Sequence, residues 1–342
     1  MNGNGTLRLG IVGGGYIGRS VGGGFVDHPD ATVAALTDID EAVLDSTGEA
    51  LGVSDAARYH EYESMLEEEQ LDAVLVGTPH TLHYEQVLAA MDRDLHVLCD
   101  KPLTTDLDHA RELRDRTRAS DEVLMIGYQR HLNPSFGAVK ERWEQNGLTP
   151  EWITAEISQD WIDRFNDTWR CNPDLSGGGY LYDTGSHLLD AILWTTGLTP
   201  TAVSAQMTFV DEERRVDDWA DVTIAFEEGA KASVTTYGRT PCVREHIHVW
   251  DQEGSVYVDG VDWKPREMLE IDADSSEHSP AVNRSEQRTK AEAFIAAIRG
   301  EEPPAATAQD GLRVTAVTEA AYESAWNDGE WVDIDPADVV ID

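Results

Sequence analysis

Apolar positions along this chain fall into two textures. Over the first 127 residues, short β-branched runs alternate with segments whose apolar residues recur every three or four positions. The runs Leu7–Val12, Thr32–Thr37 (TVAALT), Ala73–Val76, Leu95–Leu98 and Val123–Ile126 predict five strands. Between them the periodicity predicts helices from the turn after Val12 to about Asp27, over 40–51, 61–69 and His83–Met91, and over Asp106–Ser120 with Asp106 as cap. Strict alternation of strand and helix implies a parallel sheet covered on both faces, a doubly wound α/β domain spanning 1–127. Such sheets bind ligands beyond the carboxyl ends of their strands. The turns beginning at Gly13, Thr78 and Asp100 each follow a strand directly, so all three line one edge.

After Gly127 the pattern changes. A helix over Pro134–Gln145 leads to a strand over Ile153–Ser158, a polar loop rich in aromatics, and a helix from about Gly178 to Thr196. Strands follow at close spacing over 201–209, 219–226, 231–238, 244–250 and 254–259, with turns such as Glu228-Gly229 between them. Helices over 286–299 and 307–325 and a short strand near Trp331–Ile334 end the chain. Consecutive strands predict a second, α+β domain over 128–342 built on a large, mostly antiparallel open sheet. Its C-terminal helices are able to pack back on the first domain.

Composition adds an electrostatic constraint. The 342 residues carry 65 Asp plus Glu against 26 Lys plus Arg, a formal net charge of -39. Only five of the basic residues are lysines: Lys101, Lys140, Lys231, Lys264 and Lys290. Self-repulsion of this size strains a compact fold in dilute buffer, whereas a Debye length of ~3 Å at 1 M salt screens it. Because the acids are scattered, they read as the solvated surface of a halophile-adapted protein rather than as one acidic interaction block. Phosphate backbones are repelled, so nucleic acid is not an expected partner. With no apolar run approaching ~18 residues and no charged-then-apolar leader, a soluble, cytoplasmic protein without membrane contact is expected. Cys99, Cys171 and Cys242 lack any disulfide or zinc spacing. His246 and His248 share a strand face, but without a third ligand they read as sheet packing, and no metal is expected.

The first turn carries chemistry. Gly13-x-Gly15-x-x-Gly18 lies between a strand and a helix, with Tyr16 and Ile17 opening the helix. Its glycines permit the tight turn, the close approach of a pyrophosphate and the packing of helix on strand, while the helix N-terminus offers amides to phosphate. Asp38 ends the second strand, where a carboxylate holds ribose hydroxyls and repels a 2′-phosphate. That favours NAD, although Arg19 and Arg58 leave NADP open. The run Gly22-Gly23-Gly24 inside the first helix costs ~1 kcal/mol per glycine relative to alanine, and the sequence offers close packing or a shortened helix as explanations.

Two further groups stand out. In Asp100-Lys101-Pro102 the lysine closes a strand, where it can favour a substrate alkoxide. Asp183 and His187 are four apart after Gly177-Gly178-Gly179, so a helix puts them on one face, where a carboxylate orients an imidazole as general base. Taken with Thr78-Pro79-His80-Thr81-Leu82-His83 and Trp169-Arg170, the order of these motifs resembles the glucose–fructose oxidoreductase/inositol dehydrogenase family (Gfo/Idh/MocA) over essentially the whole chain. Asp100 stands where that family usually has Glu.

The resemblance implies an N-terminal Rossmann domain and a C-terminal domain whose sheet makes homodimer or homotetramer contacts. It implies Lys101, Asp183 and His187 as catalytic residues, with Thr78, Pro79, His83 and Asp100 near the cofactor. The implied reaction is hydride transfer between a carbinol carbon of a sugar, polyol or cyclitol and nicotinamide, with two alternatives: an NAD-using glycosidase and a catalytically silent sensor. Tyr128, Arg130 and Asn133, with Trp161, Arg164, Trp169 and Arg170, are candidates for substrate contact; packing is the competing role for Trp161 and Trp169, and plain surface exposure for Arg130 and Arg164.

Overall fold

The computed structural model describes residues 5–264, 266–280, 282–283 and 286–340. The chain forms two compact units: Met1–Thr104 with Asp108–Leu132 and Arg288–Ala308, and Thr105–Leu107 with Asn133–Gln287 and Gln309–Asp342. The segment 288–308 thus belongs with the N-terminal unit despite its late place in the sequence.

Six parallel strands make the sheet of the first unit: β1 (Leu7–Val12), β2 (Ala31–Thr37), β3 (Arg58–Tyr59), β4 (Ala73–Val76), β5 (His96–Cys99) and β6 (Leu124–Ile126). Their order is β3-β2-β1-β4-β5-β6, so the winding reverses between β1 and β4. β4 is buried at all four positions, as a strand covered on both faces must be. The connecting helices are α1 (Tyr16–Val26), α2 (Glu41–Leu51), α3 (Tyr62–Glu68), α4 (His83–Met91) and α5 (Leu107–Arg118). Helix ends follow local chemistry: the Asp40 carboxylate accepts from the amides of Ala42 and Val43 at the start of α2, and Gly52 ends it in the left-handed region.

The glycine run does not interrupt α1. A Cβ on Gly22 would lie 2.7 Å from Ile11 Cδ1, so its absence lets the helix press onto β1. One turn on, Phe25 meets Phe294 edge to face at 6.2 Å. Phe294 belongs to the helix Lys290–Ile298, whose start is fixed by a capping box between Thr289 and Glu292.

In the second unit the helices α6 (Pro134–Asn146), α7 (Ile162–Phe165), α8 (Pro173–Ser176) and α9 (Ser186–Thr196) precede most of the sheet. After α10, the helix 290–298 of the first unit, come α11 (Ala308–Trp326) and α12 (Pro336–Val339). The strands are β7 (Trp152–Asp160), β8 (Pro200–Phe209), β9 (Asp217–Phe226), β10 (Lys231–Tyr237), β11 (Arg239–Asp251), β12 (Gly254–Val261), β13 (Glu267–Asp272), β14 (Glu277–His278) and β15 (Val332–Asp333). Their order is β14-β13-β12-β11-β7-β10-β9-β8-β15, with β7 and β10 parallel and the other pairs antiparallel.

Alternation assigns the two faces of this sheet. Ile153, Ala155, Ile157, Val222, Ile224, Val234, Ile247 and Val249 are buried on one. Trp152, Glu156, His246, His248, Trp250 and Tyr257 lie on the other, which stays partly open. There the His248 ring stacks on Tyr257 at 3.8 Å and meets Asp259 at 3.0 Å. The sequence pattern missed β13 and β14, which run through an acidic stretch without an apolar run. It also merged distinct pieces: Gly177, left-handed at φ 77°, ends α8, and a π-helical turn over Leu181–Gly185 leads into α9. Among the described residues, no helix is long and apolar enough to cross a membrane.

Candidate active site

The first unit gathers the glycine turn and the ends of β2, β4 and β5 at the carboxyl edge of its sheet. Gly13 is left-handed at φ 93°, and its backbone carbonyl would meet a Cβ on Gly18 at 2.0 Å, so strand and helix are as close as the chain permits. Nothing lies within 4 Å of the Cβ position of Gly15. That opening faces the start of α1, which has no side-chain cap, and Tyr16 is exposed beside it. Uncapped amides beneath an opening suit a pyrophosphate, so the turn fits a dinucleotide.

Asp38 is fixed by the same turn. One carboxylate oxygen accepts the Gly14 amide at 2.8 Å and the other accepts the Asp40 amide at 2.9 Å. Arg58, left open as a phosphate ligand by the sequence, is engaged elsewhere. Its guanidinium pairs with Asp45 at 3.2 Å and Asp55 at 2.9 Å and donates to the Val53 carbonyl. Arg19 is exposed on α1.

Lys101 follows β5 and is buried to 8% exposure. Its neighbour Asp100 bonds to Lys290 Nζ at 3.0 Å, and Gly127 leaves room for that pair, since a Cβ there would lie 2.8 Å from Lys290 Nζ. Burial alone would raise the Asp100 pKa, but Lys290 and Lys101 outweigh it and hold the carboxyl below its ordinary value. His83 is fully buried, with Nδ1 2.8 Å from the Pro102 carbonyl and Nε2 3.0 Å from the Thr78 carbonyl. It braces the turns after β4 and β5 from behind. Burial lowers its pKa, against the pull of the two carbonyls and Asp100. Thr78 donates to Gln86 at 2.5 Å, after which Pro79 leads into α4.

In the second unit Asp183 sits on the π-helical turn, buried to 5% exposure. Its Oδ2 accepts from Trp161 Nε1 at 2.7 Å and from Arg170 Nε at 3.2 Å. The Arg170 guanidinium lies 4.5 Å from the centroid of the Trp169 ring and 4.7 Å from that of Phe165. His187 follows in the first turn of α9. Within residues 181–193 every side chain is buried except that of His187, which is partly open to solvent. The turn therefore presents one imidazole and fixes one carboxylate behind it.

The expected substrate contacts divide. Trp161 is fully buried and holds Asp183, a role the sequence did not assign to it. Tyr128 and Arg130 are buried within the first unit, and Arg170 keeps part of its surface open. Lys290, which pairs with Asp100, was not singled out from sequence. For Lys290 a signal existed, since lysine is as rare here as it is at Lys101.

The model of the GFO/IDH/MocA oxidoreductase family, with an NAD-binding Rossmann fold, matches residues 7–128, and the model of the family's C-terminal domain matches 139–257. A D-xylose 1-dehydrogenase (NADP(+)) of Haloferax volcanii is 28% identical over 323 residues, covering 93% of this chain and 97% of its own. A myo-inositol 2-dehydrogenase of Thermotoga maritima is 27% identical over 329 residues, covering 93% and 96%. The fold is shared with the aldose-aldose oxidoreductase of Caulobacter crescentus, at a TM-score of 0.82 and 23% identity over 96% of this chain and 100% of that one. With both halves matched by models of one family, and a glycine turn, sheet order and open second sheet that agree with them, this chain belongs to the GFO/IDH/MocA family of oxidoreductases.

Proposed function

We propose that this protein is an NAD(P)-dependent dehydrogenase acting on a CH–OH group of a sugar, polyol or cyclitol, with NAD preferred and with Lys101, Asp183 and His187 as its catalytic set. The observation that carries the assignment of the base is the single partly open imidazole of His187, one turn beyond a carboxylate fixed by two donors. When bound, nicotinamide supplies the hydride acceptor or donor. His187 takes the hydroxyl proton on oxidation and returns it on reduction. Asp183, held by Trp161 and Arg170, keeps the negative charge that favours the protonated imidazole. The Lys101 ammonium stabilises negative charge on the substrate oxygen. Arg170 is the expected group touching substrate, while Trp161 acts from behind by holding Asp183.

Support for the substrate class comes from relatives named for xylose and inositol, both polyhydroxylated. Support for NAD comes from Asp38, whose carboxylate would face a 2′-phosphate, and from the engagement of Arg58. The open face of the nine-stranded sheet, with Trp152 51% exposed, is the place for contact with a second copy. A spectrophotometric screen of aldoses, polyols and inositols with NAD and NADP at multimolar salt tests the activity. Turnover releasing NADH supports the reading, and hydrolysis of a glycoside without net NADH contradicts it.

A further inference from the structure

The turn that carries Asp183 begins in an unusual way. No side chain of its own sequence caps it: Tyr180 stands at the cap position without a capping bond, and Gly177-Gly178-Gly179 precede it. The first amides of a helix need acceptors from elsewhere. Here they come from residues distant in sequence. Tyr322 Oη, on α11, accepts the Gly179 amide at 2.8 Å. Asp217 Oδ2, on β9, accepts the Leu181 amide at 2.9 Å. The Tyr322 hydroxyl in turn donates to Asp217 Oδ1. Asp217 is fully buried and Tyr322 nearly so.

The glycines admit this arrangement. A Cβ on Gly179 would lie 2.2 Å from the backbone N and O of Asp217, and one on Gly178 would lie 2.5 Å from Tyr322 Oη. The Asp183 amide bonds back to the Gly179 carbonyl at 3.1 Å, so Gly179, gripped on its N–H side, holds Asp183 on its C=O side. A buried carboxylate is costly unless it is hydrogen-bonded, as both oxygens of Asp217 are, and a helix start is where a negative charge is favoured.

We infer that Asp217 and Tyr322 form a buried latch that sets the orientation of the turn bearing Asp183 and His187, and so act as positioning residues for proton transfer. This rests on the catalytic assignment of Asp183 and His187 made above. With the carboxylate ionised, both oxygens accept; a proton on either one removes an acceptor from the Leu181 amide or the Tyr322 hydroxyl. Burial raises the Asp217 pKa to about 6 against the lowering effect of Tyr322, Leu181 and Gly179. The titratable groups it acts on are Tyr322 on α11 and Tyr180 and Tyr182 around the turn, with Asp183 and Glu319 adding negative charge at the last two. The latch is therefore complete above that pH and loosens below it.

The test uses the full chain and the variants Asp217→Asn, Tyr322→Phe and His187→Asn. In the protein without ligand, the amide NMR signals of Gly179, Leu181 and Asp183 are followed with pH. They should shift together with a midpoint near 6 in the wild type, and that shared transition should be absent from Asp217→Asn and altered in Tyr322→Phe. On the fastest substrate of the screen, kcat should fall about tenfold to a hundredfold in both latch variants, the scale of a misplaced catalytic group. NAD affinity, measured by fluorescence, should stay within about twofold of the wild type, since the chain remains folded. Wild-type kcat in both variants, or identical amide titrations in all three proteins, overturns the latch. Should Asp217→Asn not fold, Tyr322→Phe decides by the same readouts. Full kcat in His187→Asn overturns the catalytic assignment instead, while the amide titration still judges the latch by itself.

Discussion

In the proposed function Asp38 is the residue that selects NAD over NADP. Its carboxylate is tied by two amides to the glycine turn and the start of α2, which fixes its orientation. Replacing it by alanine removes a charge that opposes the 2′-phosphate, and like-charge contacts cost several kcal/mol. The ratio of kcat/KM for NADP to that for NAD should rise about tenfold or more in Asp38→Ala; an unchanged ratio would show that another group selects the cofactor. Lys290→Met should leave Asp100 buried without its partner, at a cost of about 3 kcal/mol or more in denaturant unfolding. The Asp100 pKa is lowered on folding, so its contribution is present above the ordinary carboxylate pKa and is lost as pH falls through the folded value. Asp217 has the opposite sign. Its raised pKa means that folding binds a proton between the ordinary value and about 6, so its contribution to stability falls as pH rises through that window. The places of Asp38 and Lys101 just beyond the ends of β2 and β5 were legible in the sequence because each follows an apolar run beside a motif. Trp161, Asp217 and Tyr322 were not: Trp161 reaches Asp183 across 22 positions and Tyr322 reaches Asp217 across 105, separations that no local pattern encodes.

At the level of elements, the alternation of apolar positions was informative wherever a strand or helix buries one side. β1, β4 and α4 fall where the periodicity puts them. β13 and β14 escaped because strands at the margin of the sheet, with β14 of two residues as its edge, need no long apolar run. The segment from Gly178 to Thr196 reads as one helix since its apolar spacing is continuous, yet the structure inserts a π-helical turn over Leu181–Gly185 before α9. Two substitutions probe these elements. Gly18→Ala would set a Cβ against the Gly13 carbonyl and should destabilise the chain by about 1–3 kcal/mol while weakening NAD binding. Thr289→Ala removes the capping box of α10 and should cost ~1 kcal/mol with NAD affinity unchanged, measured by thermal unfolding and fluorescence titration. Loss of NAD affinity in the second variant but not the first would reverse the roles given to these helices.

For the whole molecule, the net charge of -39 makes ionic strength a variable of its stability. Screening shortens the Debye length from ~10 Å at 0.1 M to ~3 Å at 1 M salt, so repulsion among scattered carboxylates should fade over that range. The melting temperature should rise steadily with KCl, and a flat or falling trend would assign the acids to some other purpose. The family, the parallel and open sheets and the dinucleotide turn were legible at this scale because they are carried by motifs in order along the chain. The return of residues 288–308 to the first unit was open in the sequence, because nothing in a helix's own periodicity names the surface it covers. The most direct test of the account is the appearance of reduced nicotinamide during turnover of a sugar, polyol or inositol by the wild type and by Lys101→Ala, both at multimolar salt. The account predicts free NADH from the wild type and a loss of about a hundredfold or more in kcat for the variant; no reduced nicotinamide with any substrate, or a variant as fast as the wild type, would contradict it.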